Sequence, residues 1–264
     1  MRLLQLSDPH VRVPGDPLCG RVDTLPYLER AVAAVVQLQP RPDAVLITGD
    51  LIDTLVIEEY RYAAKALSRI DLPLFVLPGN HDERGGMREV LGQYLRTQPV
   101  PDRIAYVVDE FALKLVVLDS VIPMRGEGLL GEPQLAWLDA TLRAAADRPT
   151  LVALHHPPFD VGIGFMDQLG LHDRDGLAAV LGRHKQVVGV VAGHVHRTIV
   201  GRVAGIVALT APSTAHQVPL DLTPESPATF VFEPPGYLLH EWDGRALRSH
   251  HVYIDDFGPW YPFI

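Results

Sequence analysis

Apolar positions along the first two hundred residues switch between two periods. Short, almost wholly apolar runs at 3–6, 44–48, 74–77, 150–154 and 187–191 have the length and composition of buried strands. Between them Leu25, Leu28, Val32 and Val35 recur at helical spacing, which predicts a helix over 24–38. Tyr60, Ala64 and Leu67 predict another over 57–70, and 86–96 and 174–184 read as helices too. Glu132 and Pro133 open a helix with Leu135, Leu138 and Leu142 on one face; proline suits its first turn, where a backbone N–H would be unpaired anyway. Residues 104–108 and 113–118 read as two strands joined by a tight turn.

This alternation of strand and helix predicts an α/β protein whose sheets carry helices on their outer faces. After residue 197 the pattern changes to strands alone: 198–203, 206–210, 229–233, 237–242 and 246–254. A stretch rich in Pro, Ser and Thr, 211–228, interrupts them. The tail FGPWYPFI is apolar and aromatic, as expected of a packed terminus or a contact with another subunit.

Composition narrows the picture. A length of 264 residues suits one large domain, or one domain with a small appendage. No apolar run approaches the roughly 18–20 residues of a membrane helix, and MRLLQLSDPH turns polar too soon for a signal peptide. Cys19 is the only cysteine, so no intrachain disulfide can form. A cytoplasmic location without membrane attachment is the expectation. The net charge of −9 comes with no dense run of Lys or Arg, which argues against long nucleic acid as a partner. A small anionic substrate remains open if something local supplies positive charge.

The chemistry gathers at strand ends. Ser7-Asp8-Pro9-His10 follows the first strand, and Gly49-Asp50 with Asp53 follows the second. Gly79-Asn80-His81-Asp82 follows the third, His155-His156-Pro157 the strand at 150–154, and Gly193-His194-Val195-His196 the strand at 187–191. Ligands of open α/β folds bind at the carboxyl ends of strands. Carboxylates, imidazoles and a carboxamide oxygen suit Zn, Mn, Fe or Co better than thiophilic metals. The candidates are too many for one tetrahedral ion and about right for two ions sharing a carboxylate.

The ordered set DxH, GDxxD, GNHD, HHPP and GHVH resembles the calcineurin-like metallophosphoesterase family. GRVD at 20–23, STAHQVP at 213–219 and the GPW near the end are similar to bacterial class III cyclic-nucleotide phosphodiesterases and glycerophosphodiesterases. The resemblance implies a four-layer α/β/β/α sandwich: residues 1–210 as catalytic domain, 211–264 as a small C-terminal β-rich cap and oligomerisation segment completing it. It implies two divalent ions, one held by Asp8, His10 and His196, the other by Asn80, His156 and His194, with Asp50 bridging. His155 would then be structural. His81 would be the proton donor to the leaving oxygen, and His216 a second catalytic residue at the rim.

The implied activity is hydrolysis of small phosphodiesters, of cyclic-nucleotide or glycerophosphodiester type, by a metal-activated hydroxide, in a homodimer or higher homo-oligomer. A phosphomonoesterase, a nuclease or an inactive metal-binding scaffold are the alternatives on the same fold. No Lys or Arg lies inside the metal boxes, Arg84 and Arg197 being the nearest. A dianionic monoester would usually need such a clamp, so diesters are expected to be preferred.

Overall fold

A computed structural model describes residues 1–264. The strands are β1 (Arg2–Leu6), β2 (Ala44–Thr48), β3 (Leu74–Leu77), β4 (Tyr106–Val108), β5 (Lys114–Val117), β6 (Thr150–Ala153), β7 (Val187–Ala192), β8 (Val200–Val203), β9 (Ile206–Thr210), β10 (Gly236–Trp242) and β11 (Leu247–Tyr253). The helices are α1 (Thr24–Gln37), α2 (Ile57–Leu67), α3 (Arg84–Leu91), α4 (Glu132–Arg143), α5 (Gly164–Gln168) and α6 (Arg174–Leu181).

They build two sheets. One has the order β11-β10-β1-β2-β3, the other β4-β5-β6-β7-β9-β8. β1, β2 and β3 are mutually parallel, as are β5, β6, β7 and β9, so the loops of each set leave from one edge.

Side-chain alternation explains how the sheets stack. Leu115, Val117, Leu151, Ala153 and Val191 join the large core that also holds Leu4, Leu46 and Val76 of the first sheet and Leu28 and Leu67 of α1 and α2. Their neighbours Val116, Leu118, Val152, Leu154 and Val190 face the opposite way, onto Leu138, Leu142, Leu177 and Leu181 of α4 and α6. Period-two strands carry one apolar set to each face, and the result is α/β/β/α layering. Gln5, fully buried on β1, crosses between the sheets: its amide donates to Thr48 Oγ1 and to the carbonyl of Ala192, both at 2.9 Å. Its carbonyl takes a 2.9 Å bond from His240 Nε2.

The late strands complete the first sheet, β10 pairing antiparallel with β1 and β11 with β10. Three expectations change. The helix expected over 86–96 stops at Leu91 and gives way to a single 3-10 turn, Gly92–Tyr94. Residues 229–233 form no strand: only Val231 bridges, to Gln217, and Pro234-Pro235 follow at once. Beyond Phe257, whose ring meets that of Tyr253 at 5.5 Å, the tail does not pack on its own chain; Trp260 is 95 % exposed, and Phe263 and Ile264 lie open to solvent. No helix is long and apolar enough to cross a membrane.

Candidate metal centre

The strand-end loops of both sheets converge, and their backbone is unusual. Asp8, His10, Asp50, His194 and His196 have φ of 51°, 44°, 50°, 72° and 50°. Few non-glycine residues adopt the left-handed region, and several together mark a functional site held by its surroundings. Backbone bonds from His10 N to Asp50 O (2.9 Å) and from Asp8 N to Gly49 O (3.1 Å) fasten the first two loops together. Two glycines permit the approach: a Cβ on Gly79 would stand 2.1 Å from Asp50 Oδ1, and one on Gly193 2.3 Å from Ser7 Oγ.

Hydrogen bonding assigns the imidazole tautomers in the first cluster. His10 Nδ1–H donates to Asp53 Oδ1 (3.2 Å), and His196 Nδ1–H donates to the carbonyl of His216 (3.0 Å). In the neutral rings both Nε2 atoms therefore carry lone pairs, yet they face each other at 3.1 Å. Asp8 Oδ1 lies 3.5 Å from His196 Nε2, and Asp50 Oδ2 lies 3.4 Å from His10 Nε2. Four acceptors converge in a buried space with no proton to share, which is the donor set of a cation site.

The second cluster repeats the logic. His155 Nδ1–H donates to the carbonyl of Thr48 (2.8 Å), so in the neutral ring the Nε2 lone pair would face Asn80 Oδ1 at 3.0 Å and Asp50 Oδ2 at 3.4 Å. His194 Nδ1 lies 2.9 Å from Asn80 Oδ1, and its buried Nε2 has no partner. The same oxygen of Asp50 thus faces both clusters, while Oδ1 accepts the backbone N–H of His81 (2.8 Å).

His156 stands in the second cluster as well: ring nitrogens of His155, His156 and His194 lie within 4.8 Å of one another, and the ring of His156 is 4.5 Å from that of His194. Its Nδ1 pairs with Ser120 Oγ (2.8 Å) and its Nε2 with the carbonyl of Gly126 (3.0 Å), which ties the 120–128 loop to the cluster.

The electrostatics show how much positive charge the place calls for. Burial works against ionising Asp50, but His155 and His81 hold its carboxyl well below the usual range. Burial equally opposes a charge on His155, yet Asp50 and Asp8 push that imidazole up to about 9. Burial, with some help from Asp50, lifts Asp8 to about 6. A proton on His155 offsets the carboxylates where a cation would.

His81 and His216 border the clusters. His81 donates its Nδ1–H to the carbonyl of Asp53 (2.9 Å); its side chain, 39 % exposed, can be reached from solvent. The ring of His216 stands 4.7 Å from that of His196 and 5.4 Å from that of His10, and burial lowers its pKa to about 3. Asp53 backs His10 and is itself gripped by Arg12 (3.0 Å). Arg84 is spent on Asp119 in a two-pronged pair, and Arg197 on Glu233 and the carbonyl of Val218.

A two-sheet sandwich with carboxylates, imidazoles and a carboxamide at its strand ends defines a dinuclear phosphoesterase scaffold. The chain belongs to the calcineurin-like phosphoesterase family, whose family model matches residues 1–198. It is 36% identical to a probable glycerophosphodiester phosphodiesterase, GpdQ, of Arcobacter nitrofigilis, over 100% of this chain and 97% of that protein. It is 32% identical to the 3',5'-cyclic adenosine monophosphate phosphodiesterase CpdA of Pseudomonas aeruginosa, over 96% of this chain and 90% of that one. The fold is also that of a dimetal phosphatase from Danio rerio, with a TM-score of 0.74 at 14% identity, covering 97% of this chain and 96% of that one.

Proposed function

We propose that this protein hydrolyses small phosphodiesters, of the glycerophosphodiester or cyclic-nucleotide type, with a pair of divalent ions. The observation that carries the reading is the double convergence of lone pairs on one oxygen of Asp50. Asp8, His10, Asp50 and His196 would hold one ion; Asp50, Asn80, His156 and His194 would hold the other, with His155 beside them. The donor set suits Fe, Mn, Zn or Co. When bound, such ions supply Lewis acidity and water of lowered pKa.

The chain's own residues supply the rest. Asp53 fixes the tautomer of His10 and, through its carbonyl, the orientation of His81. With Nδ1 so held, His81 exchanges protons at Nε2, where it would protonate the departing alkoxide. His216 fixes His196 through its carbonyl and places its ring at the rim. Of the guanidinium groups around the site, Arg12, Arg84 and Arg197 are each neutralised by carboxylates. A dianionic monoester therefore finds no free clamp among them, which favours the singly charged diester.

The segment after Ala211 would form a rim over the site, and the exposed aromatic tail would be covered by a second copy of the chain. A cytoplasmic setting accords with the lone Cys19. Steady-state kinetics of the metal-loaded protein with a nitrophenyl diester and the matching monoester test the reading. The diester is expected to give the higher kcat/KM; a clear preference for the monoester would overturn the assignment.

A further inference from the structure

Two cavities open on the site, and they differ in character. One, of about 570 Å³, is lined mostly by polar and charged residues, among them Thr54, Glu83, Arg88 and Arg125, with only three hydrophobic residues. The other, of about 430 Å³, contains the imidazoles of the centre and has an apolar wall from Phe165, Met166, Leu169, Val218 and Phe230. Asp53, Asn80 and His81 line both, so the cavities meet beside the second cluster.

The walls are built features. Phe165 and Met166 stand on α5, a five-residue helix whose N-terminal side is tied to the loops around it. Asp167 accepts from the backbone of Val161 and Gly162 at 2.7 and 2.9 Å, and Phe165 N donates to Ser226 Oγ at 3.0 Å. A Cβ on Gly164 would meet the carbonyl of Pro224 at 2.3 Å, so helix and 223–230 loop are seated on each other. Phe230 packs edge-on against His216 at 5.3 Å. On the polar side Arg88 has no carboxylate partner: it donates to Gln98 Oε1 (2.8 Å) and to the carbonyl of Arg103 (3.3 Å). The strut from His156 to Gly126 fixes the loop that carries Arg125, whose guanidinium is paired with Glu127.

We infer that the preferred substrate is an acyclic diester with two unlike ester arms, a hydroxylated polar arm against Arg88 and an apolar or aromatic arm against Phe165, Leu169 and Phe230. This rests on the phosphodiesterase reading and deepens it. A 3',5'-cyclic diester closes both ester oxygens onto one sugar and cannot send separate arms into two cavities. An acyclic diester can place its phosphoryl group at the junction by His81 and fill both.

The test is a crossed kinetic series on the metal-loaded protein. The substrates are glyceryl nitrophenyl phosphate, methyl nitrophenyl phosphate, glyceryl methyl phosphate and 3',5'-cyclic AMP. Leu169→Ser is expected to lower kcat/KM about tenfold for both nitrophenyl diesters and to leave glyceryl methyl phosphate within twofold, the range for trimming one apolar wall. Arg88→Met is expected to lower both glyceryl diesters severalfold and to spare methyl nitrophenyl phosphate. The wild type is expected to favour glyceryl nitrophenyl phosphate over the cyclic nucleotide. Equal losses across the series, or a preference for the cyclic nucleotide, would overturn the two-arm inference while leaving diester hydrolysis standing. No turnover of any diester by protein shown to hold its metals would overturn both. Circular dichroism melts of each variant separate lost contacts from lost folding; should Leu169→Ser unfold, Phe230→Leu carries the same comparison.

Discussion

The Nε2 atoms of His10 and His196 face each other across 3.1 Å, and each ring has its N–H directed away, to Asp53 and to the carbonyl of His216. Two acceptors at hydrogen-bond distance with no hydrogen between them repel unless a cation stands among them. The acceptors behind the rings therefore matter as much as the rings. Asp53→Asn keeps an acceptor for His10 but removes its charge. Affinity at the first site is expected to fall about 10- to 100-fold, the usual cost of altering a residue behind a metal-ligating histidine. Titration against a chelating dye measures this without reference to turnover, and an unchanged affinity would deny Asp53 its positioning role.

The adjacent histidines are expected to differ. His156→Ala is expected to reduce bound metal from about two ions per chain to about one. His155→Ala is expected to retain both ions and to lose stability by about 1–3 kcal/mol, because the carbonyl of Thr48 and Asn80 Oδ1 lose a buried partner. Elemental analysis of both purified variants, with thermal melts, decides between them. Loss of metal from the His155 variant alone would reverse the assignment.

His81 should behave as an acid. His81→Ala is expected to lower kcat by about 10²–10⁴-fold for an alkyl diester and much less for a nitrophenyl diester, whose leaving group needs little protonation. Both ions should remain bound. Equal losses for good and poor leaving groups would leave His81 a positioning residue only.

Acid sensitivity has a source remote from the centre. His240 is buried on β10 between Gln5 and Ser249, and burial, then the nearby His250, depresses its pKa to about 4. The unfolded chain takes up that proton near pH 6.5. The contribution of the neutral ring is fully present above pH 6.5 and is lost as pH falls towards 4, on the order of 3 kcal/mol over the span. Denaturant melts of chelator-treated protein at pH 7, 5.5 and 4 should show His240→Gln flattening the decline relative to wild type. Identical slopes would remove His240 from the account.

Much of this was legible before any coordinates. Five of the parallel strands stood out as short, nearly unbroken apolar runs, each followed within three residues by an Asp, Asn or His with no place in an apolar core. The family pattern singled out His156 over its neighbour, and the structure brings both beside His194, because the turn after β6 leaves the two rings in one cluster. The apolar wall was illegible for another reason. α5 has five residues, too few for a helical period, and its place depends on Gly164 seating against Pro224, a contact 60 residues away in sequence. Residues 229–233 alternated like a strand, yet a strand needs a partner, and only Gln217 offers one.

The most direct measurement is stoichiometric reconstitution. Chelator-stripped protein is titrated with Mn or Zn while bound metal and hydrolysis of a nitrophenyl diester are followed together. The account expects activity to rise with occupancy and to reach its plateau at two ions per chain, and Asp50→Asn to weaken both sites at once because one oxygen serves both clusters. Full diester hydrolysis by the stripped protein, or a plateau at one ion with the second site unaffected by Asp50→Asn, would contradict it.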